Sequence, residues 1–297
     1  IATSKQIETL IKKESIQDFG LKKIAKELKS ILPKKSLNQK IMGVLNLTPD
    51  SFYESSRASK ENIKNTILQM IEDGADYVDI GAQSSRPNAI QIGAKEELER
   101  LISTLEIIKK DKLYEKISFS IDTYHPLIMK HCLDVGFTMI NDITGLEDDE
   151  TCKLVASYDA SAVIMHMKDR PENMQEKAYY DNVILEIDDF FTTRIEKAKA
   201  FNCDKIILDV GVGFGKLLEH NVQLIKHLEH FTHFNYPLLV GASRKSMIND
   251  IHTSTIQQRL AGTLSIHQKC LDNQASIIRC HDVKEHKQML DVWKEIY

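Results

Sequence analysis

The chain has 297 residues, 42% of them hydrophobic and 28% charged, and a formal net charge of −4. This suits a soluble globular protein and excludes a chain-wide basic field that would draw in nucleic acid. No apolar run approaches the roughly 20 residues that cross a bilayer, and the N-terminus lacks the apolar core of a signal peptide.

The five cysteines, Cys132, Cys152, Cys203, Cys270 and Cys280, are odd in number and show no CxxC spacing. A disulfide framework or thiolate zinc site is therefore not expected, and a reducing, cytoplasmic compartment is.

Residues 1–38 place Ile7, Leu10, Ile11, Leu21, Ile24, Leu28 and Ile31 at helical spacing, and Pro33 opens a Lys- and Ser-rich linker. We read them as an N-terminal helical extension to a main domain of residues 39–297. From Lys40 the rhythm changes. Apolar, mostly β-branched runs at Ile41–Leu45, Tyr77–Ile80, Ile117–Ile121, Thr138–Ile140, Ala162–Met165, Lys205–Leu208, Pro237–Val240 and Ser276–Arg279 predict eight strands. Amphipathic stretches between them predict helices, among them Lys60–Asp73, Ala94–Lys109, Asn182–Ala200, Asn221–His230 and Thr255–Leu271, with Val283–Glu295 after the last strand. Eight βα units with near-continuous apolar strands favour a closed (β/α)8 TIM barrel over a doubly wound open sheet.

Nearly every strand ends in a polar or Gly-rich cluster: Asn46, Asp79, Asp122, Asn141, His166, Asp209, Ser243 to Lys245, and Arg279 with His281. A lone Asp or Asn there is commonly a helix cap. A polar group at almost every end predicts a site on the C-terminal face of a barrel. Nucleotide loops are excluded. Around Gly211-Val212-Gly213-Phe214-Gly215-Lys216 a Walker A loop would need Gly at Val210 and Ser or Thr at Leu217, and a Rossmann fingerprint would need Gly at Lys216. No HExxH metal pair and no GxSxG nucleophile elbow occurs. Gly241-Ala242-Ser243-Arg244-Lys245 instead suits an anionic or electron-rich ligand.

Eight segments, in order, resemble the signatures of the dihydropteroate synthase family. They are Met42–Phe52, Asp79–Pro87, Ser120–Thr123, Ile140–Ile143, Met165–Met167, Leu208–Lys216, Gly241–Ser246 and Arg279–Val283. The chain departs from the family at Ser85, often Thr, at Val210, often Pro, and at Tyr53-Glu54-Ser55-Ser56, where Ser-Asp-Gly-Gly is usual. The resemblance implies a TIM barrel that joins a pterin pyrophosphate to 4-aminobenzoate, uses Mg2+ and forms a homodimer. It implies catalytic roles for Asp122, Asp209 and Lys245. It places Asn141, Met165 and Phe214 at the pterin ring, Ser85, Arg86, Pro87 and Ser246 around 4-aminobenzoate, Arg279 and His281 on the pyrophosphate, and Asn46 on the metal. The chemistry of the residue types agrees. One carboxylate accepts two adjacent pterin N–H groups, an amide matches a mixed donor–acceptor edge, and a guanidinium forks onto phosphate. Arg279 and His281, two apart in an extended segment, are expected on one side, with Cys280 packing opposite. Residues 46–59 and 82–93 are long for βα loops and, from their composition, are expected to order only when pyrophosphate and Mg2+ bind.

Two rival readings share the barrel. A corrinoid-linked methyltransferase domain would lack Ser-Arg-Lys after the seventh strand and Ser-Arg-Pro after the second. A catalytically silent pterin-binding paralogue would differ in turnover alone.

Overall fold

The computed structural model describes residues 38–47, 60–83, 91–168 and 178–296. Residues 1–37 of the predicted helical extension (1–38), Phe52, Tyr53–Ser56, Ser85, Arg86 and Pro87 lie outside them, as does most of both long loops.

Eight parallel strands close into a barrel in sequential order. They are β1 (Lys40–Asn46), β2 (Tyr77–Gly81), β3 (Ser118–Asp122), β4 (Met139–Asp142), β5 (Ser161–Met165), β6 (Ile206–Asp209), β7 (Leu238–Val240) and β8 (Ile277–Cys280). Helices α1 (Lys60–Glu72), α2 (Ala94–Lys110), α3 (Pro126–Val135), α4 (Asp149–Ser157), α5 (Val183–Ala200), α6 (Leu218–Lys226), α7 (Ser246–Ile251), α8 (Leu260–Asp272) and α9 (Val283–Ile296) surround them. β1 pairs with both β2 and β8, which closes the ring and leaves no exposed sheet edge.

The eight predicted strands are all present, and six of them end one or two residues further along than predicted, so that Asp122, Asn141 and Asp209 are themselves strand residues. Two predicted helices are shorter than the periodicity suggested. The stretch read as Asn221–His230 is α6 followed by a 3-10 helix, Leu228–Phe234, because His227 leaves helical geometry at φ −119°, ψ 21°. The stretch from Thr255 begins as a 3-10 turn, Ile256–Arg259, before α8.

Successive strand residues face opposite ways. Outward residues such as Ile41, Val78, Phe119, Ile164, Leu208 and Ile278 are buried with the helices in the main core. Inward, Met42, Met139, Val163, Ile207, Leu239 and Ile277 form a separate cluster with Tyr77 against it, plugging the barrel. Two residues further along the same faces stand Val44, Asp79, Asn141, Met165, Asp209, Gly241 and Arg279. The inward face thus turns from apolar to largely polar within one pleat of each strand. Changes to the plug act on stability, and changes to the layer above it act on the mouth.

Candidate active site

At the mouth, carboxylates from neighbouring strands meet one arginine. Asp79 is fully buried and accepts from Arg279 Nε at 2.6 Å and from Asn141 Nδ2 at 3.0 Å. Arg279 Nη2 donates to Asp122 Oδ2 at 2.7 Å. Burial works against the Arg279 charge, but Asp79 and Asp122 more than offset it and hold its pKa above the ordinary value. Asp122 goes the other way. Burial pushes its carboxyl up to about 7, against the pull of Arg279, with Asp79 and Glu97 adding to the rise. Among the described residues, one Asp79 oxygen, Oδ1, is buried without a partner.

Asp209 ends β6. Its Oδ1 accepts from the Gly211 amide at 2.8 Å, and among the described residues no side chain donates to it. Burial raises its pKa, opposed by that amide and by Lys245, Arg279 and Lys216. The turn after it needs glycine. Gly211 has φ 65°, and a β carbon there would fall on the His166 carbonyl oxygen. The loop then presents Phe214, whose ring lies under Lys245 Nζ, 3.7 Å from its centroid. That cation–π contact holds the β7 loop against the β6 loop. Met165 is buried at the end of β5.

Beneath the loop lies buried Lys216. Its Nζ lies 2.9 Å from His166 Nδ1 and donates to the carbonyls of Gly211 at 3.0 Å and Phe214 at 2.9 Å. Burial pushes the Lys216 pKa well below its usual value, and burial with Lys216 does the same to His166. His166, one of the polar strand-end residues, thus supports the loop from beneath.

At β7 and β8, Ser243 and His281 close on each other. Ser243 Oγ accepts from the His281 amide at 3.3 Å and lies 2.9 Å from His281 Nδ1. In the tautomer in which the hydroxyl donates to Nδ1, Nε2 is the N–H donor of an exposed ring. Arg244, with φ 57°, turns away from the mouth and forks onto Asp282 at 3.0 and 2.5 Å. The expectation that Arg244 contributes to an anion site is therefore corrected, because its guanidinium is committed to Asp282. Arg279 and His281 lie at the same end of β8 with Cys280 buried between them. Arg279 reaches Asp79 and Asp122, whereas His281 reaches Ser243. Ser246 begins α7 and is exposed.

Asn46 ends β1. A β carbon on Gly81 would lie 3.7 Å from Asn46 Oδ1 and 3.8 Å from Asp122 Oδ2. Two oxygen donors therefore flank a gap that glycine keeps open. Hard oxygen donors of this kind fit Mg2+, which takes few protein ligands and retains water.

Several supports of the site carry no sequence signature of their own. Glu97, on α2, is buried; it lies 2.7 Å from His125 Nδ1 and accepts from Thr123 Oγ1 at 3.0 Å. Asp79 reads from the sequence only as a strand-end acid, yet it aligns both Arg279 and Asn141.

Residues 42–281 match the pterin binding enzyme family. The bifunctional dihydropteroate synthase/dihydropteroate reductase of Helicobacter pylori is 46% identical over all of this chain and 78% of its own length. The dihydropteroate synthase of Escherichia coli is 37% identical, aligning with 85% of this chain and 89% of itself. The Yersinia pestis dihydropteroate synthase, solved with a sulfonamide drug complex, superposes with a TM-score of 0.82 at 34% identity over 88% of this chain and 95% of that one. The Thermus thermophilus enzyme in complex with 4-aminobenzoate gives 0.79 at 34% identity, over 88% and 96%. With a matching barrel and the family's strand-end residues gathered at its mouth, the chain belongs to the pterin binding enzyme family, among its dihydropteroate synthases.

Proposed function

We propose that the chain condenses 6-hydroxymethyl-7,8-dihydropterin pyrophosphate with 4-aminobenzoate, giving 7,8-dihydropteroate and pyrophosphate. The observation that carries this reading is the convergence of Asp122, Asn141, Asp209, Lys245 and Arg279, at or just after the ends of β3, β4, β6, β7 and β8, around an apolar plug. Asp209 accepts the paired N–H groups of the pterin. Asn141, its amide group turned by Asp79, reads the mixed edge beside them. Lys245 donates to the ring carbonyl, and Phe214 and Met165 wall the ring. Arg279 keeps Nη1 for a phosphate oxygen, and His281 Nε2–H adds a second donor. As the C–O bond at the pterin methylene breaks, Asp122 and Asp209 offset positive charge on the pterin while Arg279 and His281 hold the leaving anion. The aromatic amine then attacks the carbon and loses a proton. Ser246, with Ser85, Arg86 and Pro87, is assigned to its pocket.

Asn46 would hold Mg2+ near Asp122. When bound, the ion neutralises pyrophosphate charge. We further read the protein as a cytoplasmic homodimer. Among the exposed apolar side chains, Ile251, Ile256, Val292 and Ile296, on the elements after β7 and β8, are the ones we assign to contact with a second copy.

Incubating the chain with the pterin pyrophosphate, 4-aminobenzoate and Mg2+ tests the reading. Stoichiometric dihydropteroate and pyrophosphate are expected. Pterin binding without turnover would leave the silent-paralogue reading instead. The Helicobacter relative aligns over the whole chain, against 85% for the Escherichia coli enzyme. This full-length alignment makes the second activity in that relative's name, dihydropteroate reduction, a second reading to test with a reduced flavin or nicotinamide as hydride source. Adding either reductant and following tetrahydropteroate checks it separately.

A further inference from the structure

Outside the barrel mouth, α5 meets the 3-10 helix Leu228–Phe234. Asn182 caps α5, its Oδ1 accepting from the Ile184 and Leu185 amides at 3.1 and 3.2 Å, and Asp188 follows one and a half turns later. In a 3-10 helix, residues three apart eclipse, so His230 and His233 share a face. Both turn Nε2 to one oxygen, Asp188 Oδ1, at 2.7 and 2.6 Å. The three ligand atoms lie within 4.8 Å of one another. Among the described residues Asp188 has no Lys or Arg ion-pair partner.

The imidazoles are supported from behind. His230 packs edge-on to Phe231, with centroids 5.1 Å apart, and His233 lies on Phe234 at 4.0 Å. Both phenylalanines pack edge-on against Phe191 of α5, at 5.6 and 6.0 Å. Solvent reaches the front, where 46% of the His233 side chain and 24% of Asp188 are exposed, against 16% of His230.

We propose that Asp188, His230 and His233 form a binding site for a divalent transition ion of the zinc class, separate from the synthase site. Two imidazole nitrogens and one carboxylate oxygen are a recurring three-residue ligand set, with water completing the shell. Ligand atoms around zinc at about 2.0–2.1 Å stand about 3.3 Å apart. The two Asp188–histidine spacings reach that by opening roughly 0.6 Å each, and the two Nε2 atoms already lie within 4.8 Å of one another. Each ring would bind through Nε2 with its hydrogen on Nδ1. Mg2+ prefers an all-oxygen shell and is excluded. The ion ties α5 to the segment that leads into β7.

The test uses the full chain, free of affinity tags and stripped of metal, in excess Mg2+. Zn2+ is titrated calorimetrically, and Co2+ is followed by its visible absorption. One equivalent of each is expected, with a nitrogen-ligated Co2+ spectrum and a raised Tm on Zn2+ addition. His230→Gln, His233→Gln and Asp188→Asn should each weaken Zn2+ at least about tenfold, the order seen when a ligand loses even its outer support. Synthase turnover with Mg2+ should stay unchanged in all three, which also reports that they fold. Unchanged Zn2+ affinity in both histidine variants would overturn the proposal, as would wild-type protein that takes up no Zn2+. Loss of the equivalent on His281→Gln instead would move it to the barrel mouth and overturn it too.

Discussion

His267 Nδ1 and His286 Nε2 lie 2.8 Å apart, both rings fully buried, and their neighbours fix where every hydrogen sits. The Ala242 amide donates to His267 Nε2 at 3.0 Å, so Nδ1 carries the proton and gives it to His286 Nε2. His286 Nδ1 then donates to the Asp282 carbonyl at 2.6 Å. The chain links α8 and α9 to the loops after β7 and β8, which carry Lys245 and His281. It holds only while both rings are neutral, and burial lowers both pKa values, that of His267 well below 6.5.

His267→Phe leaves one buried donor and one buried acceptor unpaired, at about 1–3 kcal/mol each. Urea unfolding at pH 8 should show that loss, together with a lower kcat/KM. The pH dependence has a definite sign. In the unfolded chain His267 takes up a proton near 6.5, whereas in the fold it resists doing so. Its contribution is therefore complete above about 6.5 and falls away as pH drops. The wild-type protein should lose stability below pH 6.5 more steeply than His267→Phe. Equal slopes would mean that the pair is not the acid-sensitive element.

Asp122 gives a second pH prediction. Its carboxyl is pushed up to about 7 by burial, and the ionised form is the one that offsets a cationic pterin. kcat/KM reports the free enzyme, so it should rise with pH through about 7. In Asp122→Asn that limb should flatten and turnover should drop. A limb that persists unchanged in the variant belongs to another group.

Much of this was legible in the sequence because the barrel's logic is local. Alternation along each strand fixes which residues face inward, and the polar residues Asn46, Asp122, Asn141 and Asp209 stand where the apolar runs stop. What stayed hidden depends on pairings across the chain. His267 and His286 are 19 residues apart and His166 and Lys216 are 50 apart, and each residue alone reads as a buried or capping side chain. Arg244 looked like an anion ligand beside Lys245, but a positive φ turns it to Asp282, a partner 38 residues away. The 3-10 turns at Leu228–Phe234 and Ile256–Arg259 were hidden because their apolar spacing also satisfies an α-helix.

For the pterin pocket, Asp209→Ala removes charged hydrogen bonds worth about 1.5–3 kcal/mol each. Pterin affinity should fall about tenfold or more, while circular dichroism stays native. Calorimetry showing unchanged affinity would take Asp209 out of the site.

Arg279 calls for a gentler substitution. Arg279→Ala would strand the Asp79 and Asp122 carboxylates, and breaking a buried pair costs about 3–5 kcal/mol. Arg279→Lys retains the charge and loses the fork. Pyrophosphate and the pterin pyrophosphate should bind more weakly to it, with a pterin lacking phosphates little affected. Equal losses for all three ligands would place Arg279 at the ring.

Gly81 offers a test of the Asn46 gap that disturbs no charged group. An alanine β carbon there would sit 3.5 Å from Asp122 Cβ and 3.7 Å from Asn46 Oδ1, ordinary contact distances that the fold accommodates. It would nonetheless fill the space between two oxygen donors, where Mg2+ needs room for its own water. Gly81→Ala should therefore keep its Tm within a degree or two but require more Mg2+ for half-maximal turnover. Asn46→Ala should show the same Mg2+ phenotype by losing the donor itself. If Gly81→Ala leaves the Mg2+ requirement unchanged while Asn46→Ala raises it, the ion sits on the far side of Asn46, away from Asp122. If neither changes it, the metal is held by substrate alone.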